Sequence, residues 1–498
     1  MMILPLWVAD VPAMPDYPAH LASFFLIGGG AHDPLLARFY SIHWAFIPNL
    51  AFEYVVPLLA PWFDISVTTK TLLCIAVASW VIAPALIHRG LFGRLGIAPL
   101  GAVFFAYNDN FMWGFFNYYL GAGLALLALA GWLASGSWRS WFRIAIFAPV
   151  LLAIYFCHLF AAAVLLLMVF CYELSGLVER RAFTLKAAFS LVWPLALIAL
   201  PAALAFFFLK PSGSDTHVAF HLMDTFRDRF EAAIAVSFDQ PGYIMLGALI
   251  LFLALGFWRR WISIHSRMKL MLLALLVLTL FAPEEAMGGW GVELRLPALL
   301  GALTFASLEI NLPATARMGL AVAALVAVAV NAAALAGSWR YYDAQFHEFR
   351  AALASLPRGV RLITVLDGEA IGEAADQPYW HIAEFAVIDR AGFTPLLFTT
   401  KGQHVVQLNP GLEKVAATSA QQGSPPDVTE LDDLAARTVD EDWDIKHVFP
   451  YLIRFQCNYD EVVLVHLNGH RSPVPDMLRL RHAGSFFALY DIDHEGCP

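Results

Sequence analysis

Charge is what this chain lacks. Only 14% of its 498 residues are Asp, Glu, Lys or Arg, against about a quarter in soluble proteins, and its mean hydropathy is +0.64. A water-soluble globule is therefore excluded, and a polytopic membrane protein is expected. There is no basic tail and no Arg-rich stripe, and the net charge is -9. Phosphate backbones need a local positive field, so nucleic acid is excluded as a partner. Cysteine is also scarce, with five residues and no metal-ligand spacing. Cys74, Cys157 and Cys171 fall in apolar runs, where a thiol acts as a small hydrophobe. Cys457 and Cys497 lie in polar sequence and are able to form one disulfide if that region meets an oxidising compartment. A signal peptide is missing too: MMILPLWVA has no basic n-region and is too short for an h-region with a cleavage site. It reads as the outer end of a helix whose beginning is expected upstream. No internal repeat is evident.

What is present is a series of apolar runs, at about 71–87, 96–107, 115–134, 187–209, 241–258, 270–282, 296–309 and 318–337. Several are shorter than the roughly 20 residues of a straight span, which predicts broken or tilted helices. The run from Ile144 to Tyr172 has basic residues at both ends, Arg139 and Arg143 before it and Arg180, Arg181 and Lys186 after it. Cytoplasmic loops gather Lys and Arg, so both ends are expected inside. The run must then enter and leave again, as two short half-helices or a hairpin buried among other helices, turning near Cys157 and His158, with His158 at the outer end of a cavity. With that hairpin the bundle closes at about ten spans. The loops holding Arg89 and Arg94, Arg259 and Arg260, and Arg317 fall inside, and acidic loops fall outside.

From Arg340 charged residues return, and strands are expected at VRLITVL, DEVVLVHL and SFFALYDI. The expected division is a membrane domain over 1–339 and an outward-facing soluble α/β domain over 340–498. In the latter QQGSPPDVTELDD reads as an exposed loop. Between Asp33 and Phe63 the sequence is apolar but broken by His43, Pro48, Asn49, Glu53 and Pro57, as suits helices lying in the membrane interface.

The acidic loop VADVPAMPDYPAHLA, Val8 to Ala22, falls on the outer side. Asp10 and Asp16 there are either Asx turns between prolines or carboxylates serving a reaction between a lipid-linked substrate and an acceptor hydroxyl. A carboxylate at hydrogen-bond distance from a hydroxyl is a general base. Pro15 and Pro18 bracket Asp16 and stiffen its backbone, so Asp16 is the expected base, Asp10 a second carboxylate, and His20, one helical turn on, an orienting neighbour.

PDYPAHLA (Pro15 to Ala22), YNDNFMWGFFNYYLGAGLALLALA (Tyr107 to Ala130) and YFCHLFA (Tyr155 to Ala161) resemble segments of bacterial multi-pass proteins of the GT-C superfamily. These are polyprenyl-phosphate-dependent glycosyltransferases with an essential Asp or Glu in the first outer loop. The resemblance covers roughly residues 1–340. It departs from the pattern in two ways: the span preceding the Asp loop is nearly absent, and the adjacent Asp-Glu pair of the protein mannosyltransferase branch is missing. The choice between Asp10 and Asp16 therefore stays open on the resemblance alone.

The resemblance implies an inverting transfer on the outer face of the bacterial inner membrane. A carboxylate deprotonates the acceptor, which attacks the anomeric carbon and expels polyprenyl phosphate, whose charge a fixed cation stabilises. Candidates are Arg295, Lys210, His158 and His20. Arg295, in VELRLPALL at the start of a span, is either a bidentate phosphate ligand or an arginine snorkelling to headgroups. Asn108, Asp109 and Asn117, with Asn110, Trp113, Tyr118 and Tyr119, are either sugar contacts or helix caps and interfacial aromatics. No spacing of residues indicates a cofactor, although a divalent cation is compatible with the resemblance. HLMDTFRDRFEAAIAV is expected to be an amphipathic lid. In the C-terminal domain Tyr379 to His381 and Asp389 show no catalytic spacing, and the domain is expected to bind the unknown acceptor or brace the bundle. The competing readings are a transporter or flippase for a lipid-linked saccharide, which usually shows paired broken helices in a repeat, and a non-catalytic envelope polysaccharide assembly protein.

The charge asymmetry predicts that a cysteine introduced at Gln403 is labelled from outside intact cells. Labelling only after the cytoplasm is opened would reverse the orientation.

Overall fold

The structure, a computed structural model, describes residues 1–181, 184–209, 218–219, 229–230, 232–237, 240–286, 289–368, 377–417, 423–436 and 449–497. The chain forms two compact units. One holds Met1–Trp7, Phe46–Phe52 and Lys70–Ala336; the other holds Val8–Ala45, Glu53–Thr69 and Gly337–Pro498. The change of composition at Arg340 thus falls close to a unit boundary. The acidic loop, however, belongs to the same compact unit as the C-terminal region.

Six helices among the described residues are long and apolar enough to cross a membrane: Ile65–Phe92, Phe116–Ala134, Ser140–Cys157, Leu159–Glu179, Leu185–Leu209 and Ala314–Leu353. Other expected spans are shorter. The 96–107 run is a one-turn helix, Pro99–Ala102, followed by a 3-10 segment, and the helices Tyr243–Trp258, Lys269–Phe281 and Leu296–Ala306 have 16, 13 and 11 residues. The 296–309 run ends as a strand, Leu308–Ile310, paired antiparallel with Ile262–Ile264.

The Ile144 to Tyr172 run does break at His158, into two full helices of 18 and 21 residues, the hairpin of the two alternatives and not the short halves. His158 is extended (φ -165°, ψ 129°), and its Nδ1 accepts the Phe160 amide at 3.1 Å, capping the second helix. One orphaned donor at the break is thereby satisfied. At the far ends Arg143 and Glu173 pair at 3.3 Å, and the Arg143 guanidinium stacks 3.4 Å from the Trp132 ring centroid. This closes the hairpin with both ends together, as the basic flanks require. Gly121 is where the Phe116–Ala134 helix meets the break. A Cβ there would stand 3.0 Å from Cys157 Cβ and 3.1 Å from Ala161 Cβ.

In the second unit all three expected strands form, as Leu362–Asp367, Glu461–His466 and Phe487–Ile492. With Leu478–Ala483 they make a four-stranded sheet. The first two strands run parallel, with Asp367 opposite His466, and a C-terminal hairpin pairs antiparallel to the second of them through Phe487–Ile492. Both parallel strands are buried along their whole length, which explains their continuous apolar runs. The core of this unit includes Ala19, Ala22 and Leu26 of the Tyr17–Ile27 helix, packed with Val462, Phe393 and Val387. That helix is apolar on all sides, as a core helix must be.

Two expectations for irregular stretches are corrected. Between Asp33 and Phe63 the chain forms a 3-10 turn, Leu36–Arg38, a strand, Tyr40–Ile42, paired with Val406–Leu408, and an α-helix, Ala51–Leu59. The Asp427–Glu430 part of the expected loop is a capping box opening the helical segment that runs to Ala436. Cys457 and Cys497 are bonded, with Cα atoms 5.3 Å apart.

Leu464, fully buried at the centre of the sheet, sets a test of this core. Leu464→Ala removes packed methyl groups and should destabilise the unit by about 2–5 kcal/mol, read as a lower thermal or denaturant midpoint of the C-terminal unit. An unchanged midpoint would show that the strand is not core.

Candidate functional site

In the C-terminal unit a set of ionisable side chains gathers around Asp16. Asp16 stands at the N-cap of the Tyr17–Ile27 helix with Pro18 in the first turn, yet its carboxylate makes no cap hydrogen bond. Oδ1 instead faces His381 Nε2 at 3.9 Å, and His381 Nδ1 lies 3.1 Å from Glu384 Oε1. His381 and Glu384 are buried, and the Asp16 side chain is 17% exposed. The register has a local cause. Ile382–Glu384 is a 3-10 turn with His381 as its N-cap, and side chains three apart eclipse on such a turn.

Phe398 packs against three imidazoles, edge-on to His20 and His381 and stacked on His404, with ring centroids 5.2–5.4 Å apart. His20, on the same helix as expected, has its Nδ1 3.9 Å from Glu53 Oε1. The imidazole facing Asp16 is thus His381, which the sequence reading passed over.

Burial pushes the Asp16 carboxyl up to about 7; the Glu384 charge adds to the rise and His381 opposes it. Burial alone would lower His381, but its two carboxylate neighbours outweigh this and raise it. The arrangement therefore holds a carboxylate that is poised to exchange a proton near neutrality.

Asp10 has a different setting. Its side chain is 79% exposed and lies 3.2 Å from His347 Nε2, while the Asp10 carbonyl accepts from Ser66 Oγ. Asp10, Asp343 and His347 bring their ligand atoms within 4.8 Å of one another, the one such grouping among the described residues. Asp343 Oδ1 already accepts the Val11 amide and His347 Nδ1 donates to the Asp343 carbonyl, so the group reads as a solvated ion-pair cluster.

A second closed cluster lies at the carboxyl ends of the parallel strands. The Asp367 carboxylate, buried, accepts from Nδ1 of His466 and His470 at 2.9 and 3.0 Å and from the Ser472 amide. Burial would raise it, but these donors outweigh burial and pull it down to about 2. Ser472 Oγ approaches the same Nδ1 of His470 that Asp367 occupies, so there is no nucleophile–base relay. The cluster braces the strand ends.

In the membrane unit the structure brings Arg295 and His158 together around one tyrosine. Arg295 ends the 3-10 turn before the Leu296–Ala306 helix and is buried. Its guanidinium lies 5.6 Å from the Phe115 ring and 5.5 Å from the Tyr118 ring, and Nη2 donates to the Trp290 carbonyl at 3.0 Å. The Tyr118 hydroxyl donates to the Arg295 carbonyl, and the His158 ring meets Tyr118 edge-on at 5.3 Å. Arg295 Nε has no partner among the described residues.

The amides nearby are mostly committed to the backbone. Asn108 caps the Asp109–Trp113 turn, Asp109 places its amide on the Ala232 carbonyl, and Asn117 holds Phe52 N and Asn49 O at 2.9 Å each. Asn110 donates to the Leu294 carbonyl and leaves Oδ1 buried without a partner among the described residues. Lys210 and most of the expected lid, 221–228 and 231, lie outside the described residues.

No family model and no curated protein matches the chain.

Glu384, Glu53 and His404 carried no site expectation from the sequence, and His381 was set aside there for want of catalytic spacing. For His381 and Glu384 the only signal was the His-x-x-Glu spacing.

Asp16's folded value lies above the ordinary one, so between 3.8 and about 7 the folded protein holds a proton that the unfolded chain has released. Its stabilising contribution is full below the unfolded value and is lost as pH rises through about 7. The unfolding midpoint of the wild type should therefore fall across that range relative to Asp16→Asn; parallel pH curves for the two would refute the placement.

Proposed function

We propose that the protein is a membrane glycosyltransferase that moves a sugar from a polyprenyl-phosphate donor to an acceptor hydroxyl on the outer face of a bacterial inner membrane. The observation that carries the reading is Asp16: an enclosed carboxylate at a helix N-cap that does no capping, opposite an imidazole and poised near neutrality. That is the setting of a general base. On this reading Asp16 takes the acceptor O–H proton, the oxygen attacks the anomeric carbon, and the carbon–phosphate-oxygen bond breaks with its electrons leaving on polyprenyl phosphate. A single displacement inverts the anomeric centre.

Roles are assigned unit by unit. In the membrane unit Arg295, with an uncommitted Nε beside Tyr118 and His158, is the group proposed for the donor phosphate. The short apolar helices are proposed to bring the six long ones to about ten spans. The Cys457–Cys497 bridge fits an oxidising outer compartment.

The full chain, reconstituted in lipid nanodiscs, is given undecaprenyl-phosphate glucose, mannose and arabinose in turn with an envelope polysaccharide extract, and release of undecaprenyl phosphate is followed. Transfer is expected to rise with pH through about 7 as Asp16 deprotonates, and Asp16→Asn to lower it by about 100- to 10,000-fold while donor binding persists. Full turnover in Asp16→Asn would end the assignment of the base. Full turnover in both Asp16→Asn and Asp10→Asn would end the reading of the loop.

A further inference from the structure

We propose that His381, clamped by Glu384, is the positioning residue that holds Asp16 and takes its proton onward, so that the working unit is a carboxylate–imidazole–carboxylate relay rather than a lone aspartate. This deepens the reading of Asp16 as the base and rests on it.

The geometry is specific. A buried carboxylate such as Glu384 needs a donor, and its Oε1 has the Nδ1–H of His381 at 3.1 Å. Committing Nδ1 as donor leaves Nε2 as the lone-pair nitrogen in the neutral ring, and Nε2 is the atom that faces Asp16 Oδ1 at 3.9 Å. A movement of about 1 Å brings the pair to hydrogen-bond distance. Glu384 Oε2 is buried and has no hydrogen-bond partner among the described residues, so this carboxylate is only half used by the fold.

The proton path balances. The acceptor O–H proton passes to the Asp16 carboxylate, the Asp16 O–H proton passes to His381 Nε2, and the resulting imidazolium is held against the Glu384 carboxylate until it loses the proton to solvent. Asp16 is then ionised for the next turnover. The charged and titratable groups around His381 are Asp16, Glu384, and, across Phe398, His20 and His404; Tyr40 and Tyr451 sense the Glu384 charge.

The full chain in nanodiscs is labelled with 15N-histidine and 13C-carboxyl aspartate, with signals assigned by difference against His381→Gln and Asp16→Asn. In the wild type the neutral His381 ring is expected as the Nδ1–H tautomer; an Nε2–H tautomer would overturn the relay. In His381→Gln the imidazole whose protonated fraction opposes the rise of the Asp16 carboxyl is lost, so the Asp16 titration should move to higher pH. The rising limb of the transfer rate should move with it. Glu384→Gln should lower the fraction of protonated His381 at neutral pH. If Asp16→Asn abolishes transfer but His381→Gln leaves both the Asp16 titration and the rate profile unchanged, the relay is wrong and the base stands. If Asp16→Asn transfers normally, the base reading itself fails, and the tautomer and titration then show whether the triad exists without that role.

Discussion

A polar group taken out of water must find its partner within the protein or cost several kcal/mol, and that constraint shapes both units of this chain. In the membrane unit it explains His158. Breaking a long apolar run into two helices frees backbone donors, and the imidazole at the break accepts one of them. It also explains why the amides of Asn108 and Asn117 are spent on neighbouring backbone. Against that background the buried atoms without a partner among the described residues stand out, Arg295 Nε, Glu293 Oε2 and Asn110 Oδ1 among them.

The same constraint organises the C-terminal unit around two acids, one buried and one largely enclosed, with opposite solutions. Asp367 collects donors from two histidines and a backbone amide and is pulled down to about 2. Asp16 collects no cap hydrogen bond and has one imidazole just beyond bonding distance, and it is pushed up to about 7. The first stays ionised at any physiological pH and serves as structure. The second changes state where a proton-transfer group is useful, and the difference lies in the number of donors supplied rather than in burial alone.

How much of this could be read beforehand follows the range of the interactions. The parallel strands were legible because burial on both faces writes itself as an unbroken apolar run, and the break at His158 because basic flanks at both ends of one run demand a return. Span lengths were less legible, since apolar runs end where hydropathy falls while helices such as Ser140–Cys157 and Leu159–Glu179 continue into polar ends. The strand Tyr40–Ile42 was invisible because its partner, Val406–Leu408, lies far along the chain. The prolines that bracket Asp16 were legible, but its neighbour His381 was not. His381 sits in an ordinary YWHIAE stretch, and only folding brings it to the loop.

The contrast between Asp10 and Asp16 gives the site its direction. Both are carboxylates of one short loop, and composition treats them alike. Asp10 is left to solvent and to His347, where a charge costs little and its interactions are screened. Asp16 is seated at the start of a helix that is core on every side, so its position is fixed by the packing of Ala19, Ala22 and Leu26 and not by the loop. A group held in that way loses little freedom on meeting a substrate. The apolar helix that begins at Tyr17 therefore holds its N-cap carboxylate opposite one imidazole, with Pro18 in its first turn.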